Sequence, residues 1–101
     1  MSFVKVASEN EIAPNTMKGV EANGKSILLT NLAGKYYAIG NVCTHRGCKL
    51  SSGSLEGEIL HCRCHGSRFE AKTGKVVGGP AAKSEPAYEV KVEGDQILVR
   101  V

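Results

Sequence analysis

Cys43-Thr44-His45-Arg46-Gly47-Cys48 and His61-Cys62-Arg63-Cys64-His65-Gly66-Ser67 are the two stretches that decide how this chain is built. Cys43 and His45 are separated by one residue, Cys62 and His65 by two, and sixteen residues lie between His45 and Cys62. All four cysteines of the chain fall between positions 43 and 64. Each stretch offers one thiolate and one imidazole from a short loop, and four such donors are what a metal centre takes. The segment between them has turn signals at Ser52-Gly53 and Glu56-Gly57 and enough length for strands that bring the loops face to face. Residues 42–69 as a whole are rich in Gly, Ser, Cys and His and poor in large apolar side chains. That segment cannot bury much core by itself, so something else must hold it.

On either side the chain reads as strands. Phe3, Val4 and Val6 open one, and Ser8-x-x-Glu11 has the spacing of a capping box for a short helical turn. Asn23-Gly24 separates Lys18–Ala22 from Ser26–Thr30, a hairpin signal, since both residues tolerate positive φ. Ala33-Gly34 leads into Lys35–Ile39. Near the end, Tyr88, Val90 and Val92 alternate with polar residues, and Gln96–Val101 follows across Glu93-Gly94-Asp95 as a C-terminal hairpin. No stretch keeps a helical period, and no repeat is present. The pattern predicts one all-β domain over residues 1–101, with a base from 1–41 and 70–101 and a polar insertion at 42–69.

Composition narrows the function. The chain has 101 residues, 42% hydrophobic and 23% charged, which is ordinary for a soluble globular domain. No apolar run approaches the ~18 residues of a membrane helix. The start, Met1-Ser2-Phe3-Val4-Lys5, lacks the basic and apolar regions of a signal peptide, so a cytoplasmic location is expected. A net charge of +3 is too small to argue for nucleic acid.

Several chemistries compete for the Cys and His residues. A structural zinc site would also fold a polar insertion. Zinc fingers, however, pair like with like, whereas each loop here mixes the two ligand types and two cysteines remain over. A thioredoxin-like Cys-x-x-Cys is absent, and a cysteine hydrolase does not account for a doubled set. One Cys–His pair per loop suits a [2Fe–2S] cluster with two thiolates on one iron and two imidazoles on the other.

The two stretches resemble the Rieske iron–sulfur proteins, whose Cys-x-His…Cys-x-x-His signature is matched by Cys43, His45, Cys62 and His65. The resemblance covers nearly the whole chain, including Gly79-Pro80-Ala81. It implies stacked antiparallel sheets with a cluster-binding insertion, and one Rieske-type [2Fe–2S] cluster held by those four residues. It also implies a Cys48–Cys64 disulfide joining the loops, as in the membrane-complex members. Ser67 matches the serine whose hydroxyl donates to a bridging sulfide, and Gly79 and Pro80 match a loop that covers the cluster. The two imidazoles would each leave one nitrogen near solvent, so the potential should fall as pH rises.

Departures matter as much. Phe69 stands where high-potential members carry a Tyr that donates to a ligand sulfur, and Arg46 and Arg63 replace the usual Leu and Pro. His ligation puts the potential within about −150 to +300 mV. Ser67 without the Tyr predicts an intermediate value, above oxygenase-type ferredoxins and below quinol-oxidising proteins. Arg46, Lys49, Arg63 and Arg68 lie near the ligands in sequence and can form a positive rim that steers an acidic partner.

Counting separates the roles such a cluster can serve. A catalytic oxygenase subunit needs a further iron on two His and a carboxylate, and only His61 is left over. A quinol-oxidising subunit needs an anchor. The expectation is therefore a diffusible one-electron carrier, not itself an enzyme, between a flavin-dependent reductase and a terminal oxygenase, docking at the exposed His edges. The alternatives are a zinc-stabilised interaction module and the small subunit of a nitrite-reductase-like complex, although that subunit lacks the cluster ligands. His61 reads as structural, and Tyr36, Tyr37 and Tyr88 as packing for the base.

Overall fold

A computed structural model describes residues 2–42, 48–64, 66–79 and 83–101. Among the described residues eleven strands run in chain order: β1 (Phe3–Ser8), β2 (Thr16–Ala22), β3 (Lys25–Leu32), β4 (Lys35–Gly40), β5 (Ser54–Glu56), β6 (Ile59–His61), β7 (Arg68–Glu70), β8 (Val76–Gly78), β9 (Ala87–Tyr88), β10 (Val90–Glu93) and β11 (Gln96–Arg100). They form three antiparallel sheets with the orders β1-β11-β10, β2-β3-β4-β9 and β5-β6-β7-β8.

The β2-β3-β4-β9 sheet is the middle layer, and its sequence shows why. Along β3, Ile27 and Leu29 pack with Ala7, Ile97 and Val99 of the first sheet, while Leu28 and Leu32 pack with Leu60 and Phe69 of the third and with Ala71 just after β7. In β4, Ala38 faces the first set and Ile39 the second. A strand buried on both faces reads as a continuous apolar run instead of an alternation, and Ile27-Leu28-Leu29 is such a run. Successive side chains point to opposite faces, so one strand supplies two cores.

The hairpins form where the turn residues predict. Asn23 (φ 50°) and Gly24 (φ 79°) turn β2 into β3, in register from Ala22↔Lys25 to Thr16↔Asn31. Ala33 (φ 54°) and Gly34 (φ 93°) do the same for β3–β4. An alanine in the left-handed region is strained, and the buried Asn31 supports it. Its Oδ1 accepts the Gly34 N–H at 2.9 Å, and its Nδ2 donates to the Ile12 carbonyl at 2.9 Å. The Ser8 cap leads into a short 3-10 turn over Glu9–Glu11, where the Glu11 carboxylate accepts the Ser8 N–H at 3.1 Å and Lys18 Nζ at 2.6 Å.

One expectation is corrected. Tyr88, Val90 and Val92 do not share a strand: Ala87–Tyr88 pairs with β4 through Ala38↔Tyr88, whereas Val90–Glu93 pairs with β11. The chain changes sheet at Glu89, whose carbonyl accepts the Arg100 N–H at 2.9 Å. Tyr88 and Val90 still pack against the same core, whereas Val92 is exposed, so the alternation reported burial for two of its three residues and pairing wrongly.

Candidate metal centre

At the end of β4 the chain leaves the middle sheet, and Asn41 fixes the point of departure. It is buried, and its Nδ2 donates to Ser26 Oγ at 3.3 Å and to Ser51 Oγ at 3.2 Å. Its Oδ1 accepts the Ser51 N–H at 2.8 Å, and its backbone carbonyl accepts the Leu50 N–H at 2.6 Å. Val42 and Lys49 then bridge. Both feet of the first loop are thus tied to each other and to β3. Gly19 on β2 makes room for this network: a Cβ there would stand 2.8 Å from Asn41 Nδ2 and 2.9 Å from Ser51 Oγ.

The second loop is a tight backbone turn. The Cys62 N–H donates to the Ser67 carbonyl at 2.7 Å, and the Gly66 N–H donates to the Cys62 carbonyl at 3.1 Å, with Gly66 at φ 78°. Cys62 is buried and outside any disulfide, and Ser67 is fully buried. The first-loop side approaches directly, because the Gly53 Cα lies where an added Cβ would collide with the His61 carbonyl oxygen. His61 itself ends β6, with Nε2 3.4 Å from Glu56 Oε1.

Two further ties close this end. Cys48 and Cys64 form the disulfide that the resemblance implied, with Cα atoms 6.5 Å apart and sixteen positions separating them in sequence. From the third side comes Gly79 at φ 82°, whose missing Cβ would overlap Ser67 Cα and stand 2.6 Å from the Gly66 carbonyl oxygen. Only a glycine allows that backbone to rest on the second loop. The base of this strap is held by Glu85 N–H to the Gly74 carbonyl at 2.7 Å and by Gly40 N–H to the Pro86 carbonyl at 2.9 Å.

Cys43, His45, His65 and Pro80 lie outside the described residues, as does Arg46. Of the residues singled out in the sequence, the structure brings together Cys48, Cys62, Cys64, Ser67 and Gly79. Phe69 is fully buried in the core that includes Cys62, Leu50 and Leu60. Tyr36 and Tyr88 pack against the core of the first sheet and Tyr37 against the other. Asn41, Gly19 and Gly53 were not legible. Each acts on a partner distant in sequence, and an Asn after a strand looks the same whether its amide is buried or solvated.

The disulfide narrows the donor set. The disulfide takes Cys48 and Cys64, which leaves two thiols in the whole chain, Cys43 and Cys62. An all-cysteine cluster is therefore out of reach, while two thiolates with two imidazoles are available, and these residues fit a His-ligated cluster.

Comparison with known proteins agrees with this chemistry. The model of the Rieske [2Fe-2S] domain matches residues 2–99. The ferredoxin component of the naphthalene 1,2-dioxygenase/salicylate 5-hydroxylase systems of a Ralstonia species is 34% identical over 100 residues, covering 99% of this chain and 96% of that protein. The solved ferredoxin of carbazole 1,9a-dioxygenase from Nocardioides aromaticivorans IC177 matches with a TM-score of 0.93 and 29% identity, over 98% of this chain and 97% of that one. A chain from the complex of oxygenase and ferredoxin in carbazole 1,9a-dioxygenase matches with a TM-score of 0.90 and 28% identity, over 96% and 91% of the two chains.

Proposed function

Starting from a chain that belongs to the Rieske [2Fe-2S] family and is a ferredoxin-type electron carrier of the kind found in oxygenase systems, we propose the ligands and partners that complete its function. Cys43 and Cys62 bind one iron of its cluster, and His45 and His65 bind the other. When bound, the cluster takes up and releases one electron without bond making in the protein.

The protein's own residues supply the setting. Asn41 and the Val42–Lys49 bridge hold the first loop, the Cys62–Ser67 turn holds the second, and the disulfide fixes one against the other. Gly79 brings a third segment onto Ser67 and so keeps water from that side. The Ser67 hydroxyl is assigned as a donor to the cluster, and Phe69 as a ring without a donor beside Cys62.

The carrier accepts electrons from a flavin-dependent reductase and delivers them to a terminal oxygenase, docking at the His45 and His65 edges, in the cytoplasm. Support comes from the relatives named as ferredoxin components of dioxygenase systems and from the solved complex of a ferredoxin with its oxygenase. No helix among the described residues is long and apolar enough to cross a membrane. The observation that supports the reading best is the disulfide, because it takes Cys48 and Cys64 out of the donor set and leaves too few thiols for an all-cysteine cluster. Electron paramagnetic resonance of the dithionite-reduced protein, with a redox titration across pH, tests it. A rhombic signal with average g below the free-electron value and a potential that falls at alkaline pH is expected. A colourless, silent protein containing zinc after anaerobic preparation would defeat it.

A further inference from the structure

Charge is spread unevenly over this molecule. The loop stretches around the assigned ligands, residues 41–53, 62–69 and 77–86, carry Arg46, Lys49, Arg63, Arg68 and Lys83 against a single acid, the buried Glu85, while Glu56, Glu58 and Glu70 lie outside them on β5, its turn and β7. The rest of the chain has eight basic and nine acidic side chains and is close to neutral. Pairing divides the same way. Lys18, Lys72, Lys91 and Arg100 lie against Glu11, Glu58, Glu93 and Glu89. Among the described residues no ion pair includes Lys49, Arg63 or Arg68, and all three are exposed.

These three cations share one end of the protein and are not scattered. Lys49 follows Cys48 and Arg63 precedes Cys64, so the disulfide sets them on neighbouring loops. Arg68 pairs in register with Gly78, and its Nη2 and Nε lie 2.5 and 2.8 Å from where a Cβ at that glycine would stand. The bare Gly78 backbone is thus a seat for the guanidinium, next to the Gly79 strap on Ser67. A seated guanidinium has lost part of its rotamer freedom before any partner arrives, so less entropy is lost when it meets a carboxylate.

We propose that Lys49, Arg63 and Arg68 form a docking rim for an acidic face on the protein that exchanges electrons with this one. The proposal rests on the carrier reading above and adds the chemistry of the partner. Unneutralised charge beside the exit point attracts an oppositely charged surface over a Debye length, ~8 Å at physiological ionic strength, and raises the encounter rate. Three cations are too few for a nucleic-acid backbone, whose binding needs a longer run of phosphate contacts.

The test follows oxidation of the reduced holoprotein by ferricyanide, an anionic probe, in a stopped-flow instrument over a range of ionic strength. Two variants with the same change in net charge are compared: R63E/R68E at the rim and K5E/K35E on the base. The wild-type rate should fall as salt is added. R63E/R68E should slow the low-salt reaction roughly tenfold and reverse the sign of the salt slope, with R63Q/R68Q in between and K5E/K35E close to wild type. Midpoint potentials measured on each variant remove differences in driving force. Equal losses in the two double variants, or an unchanged slope in R63E/R68E, overturn the rim. A wild type that gives no resonance signal on reduction defeats the carrier reading itself, and the rim falls with it.

Discussion

In the base, β2 and β3 are seven and eight residues long and pair in unbroken register through a two-residue turn, and apolar side chains close both faces of β3. In the cluster-binding end, β5 to β8 have three residues each, and their core borrows Leu28, Leu32 and Ile39 from the base. Long strands with local turns gain enough from pairing and burial to order themselves. Short strands separated by glycine and polar loops do not, and here order comes from a disulfide, a buried amide and glycines that let backbones touch. The division also suits function, because side chains spent on ligands and on an exposed electron exit cannot be spent on a core.

If the comparison holds, changes at the cluster end should empty or loosen that end and leave the base folded. The largest effect belongs to Cys62→Ser. It removes one of only two available thiolates, so the visible absorption and the iron content should be lost entirely while the far-ultraviolet β-signal remains. Retention of iron at the wild-type level would show that Cys62 is not a ligand.

Next is the disulfide. Replacing Cys48 and Cys64 by alanine removes a cross-link that spans sixteen positions, worth about 3 kcal/mol on chain-entropy grounds. Denaturation of the variant should show the cluster bleaching well before the base unfolds, a local opening in place of a single transition. A single transition, merely shifted, would break the comparison, because it would mean that the two regions stand or fall together. Asn41→Ala should follow at about 2 kcal/mol, since it strands the Ser51 N–H and leaves two hydroxyls without their donor. Its cluster should be lost faster under chelation, with the β3–β4 hairpin unchanged by hydrogen exchange.

What the sequence disclosed follows the same boundary. The hairpin at Asn23-Gly24 and the strand that follows Ala33-Gly34 were legible because their information is local: turn residues between apolar runs. The family was legible in the spacing of the Cys and His residues because ligand chemistry needs particular side chains at particular spacings. Asn41 and the seats offered by Gly19, Gly53 and Gly78 were not, since each depends on a segment brought close only by folding. Tyr88 fell between the cases. Its alternation with Val90 correctly predicted burial, but the change of sheet at Glu89 carries no signature in residue type.

Potential gives a finer measure. Ser67→Ala should lower the midpoint by ~40 mV if one hydrogen bond of about 1 kcal/mol is lost. Phe69→Tyr, adding a hydroxyl in the core that holds Cys62, should raise it by a similar amount. An unchanged midpoint in Ser67→Ala would assign that hydroxyl to the turn alone.

The smallest effect is expected in the base and serves as the control for all the others. The Lys18 ammonium, donating to the Glu11 carboxylate, and then the Ser8 N–H hold the Glu11 carboxyl below its ordinary pKa of 4.5. A group whose pKa is depressed by folding stabilises the folded state above the unfolded value, and that contribution disappears as pH falls through the folded value. Wild type should therefore be slightly more stable than Glu11→Gln at neutral pH, and the gap should close in the range below 4.5, where Glu11 takes up its proton. Because the pair is exposed, added salt should shrink the gap as well. The midpoint potential of Glu11→Gln should equal that of wild type at every pH, because Glu11 lies on the 3-10 turn between β1 and β2 and the charges that act on it, Lys18 and Lys5, belong to the base. A potential that shifted with Glu11 would mean that base and cluster end are electrostatically coupled, and their separation would then hold for packing alone.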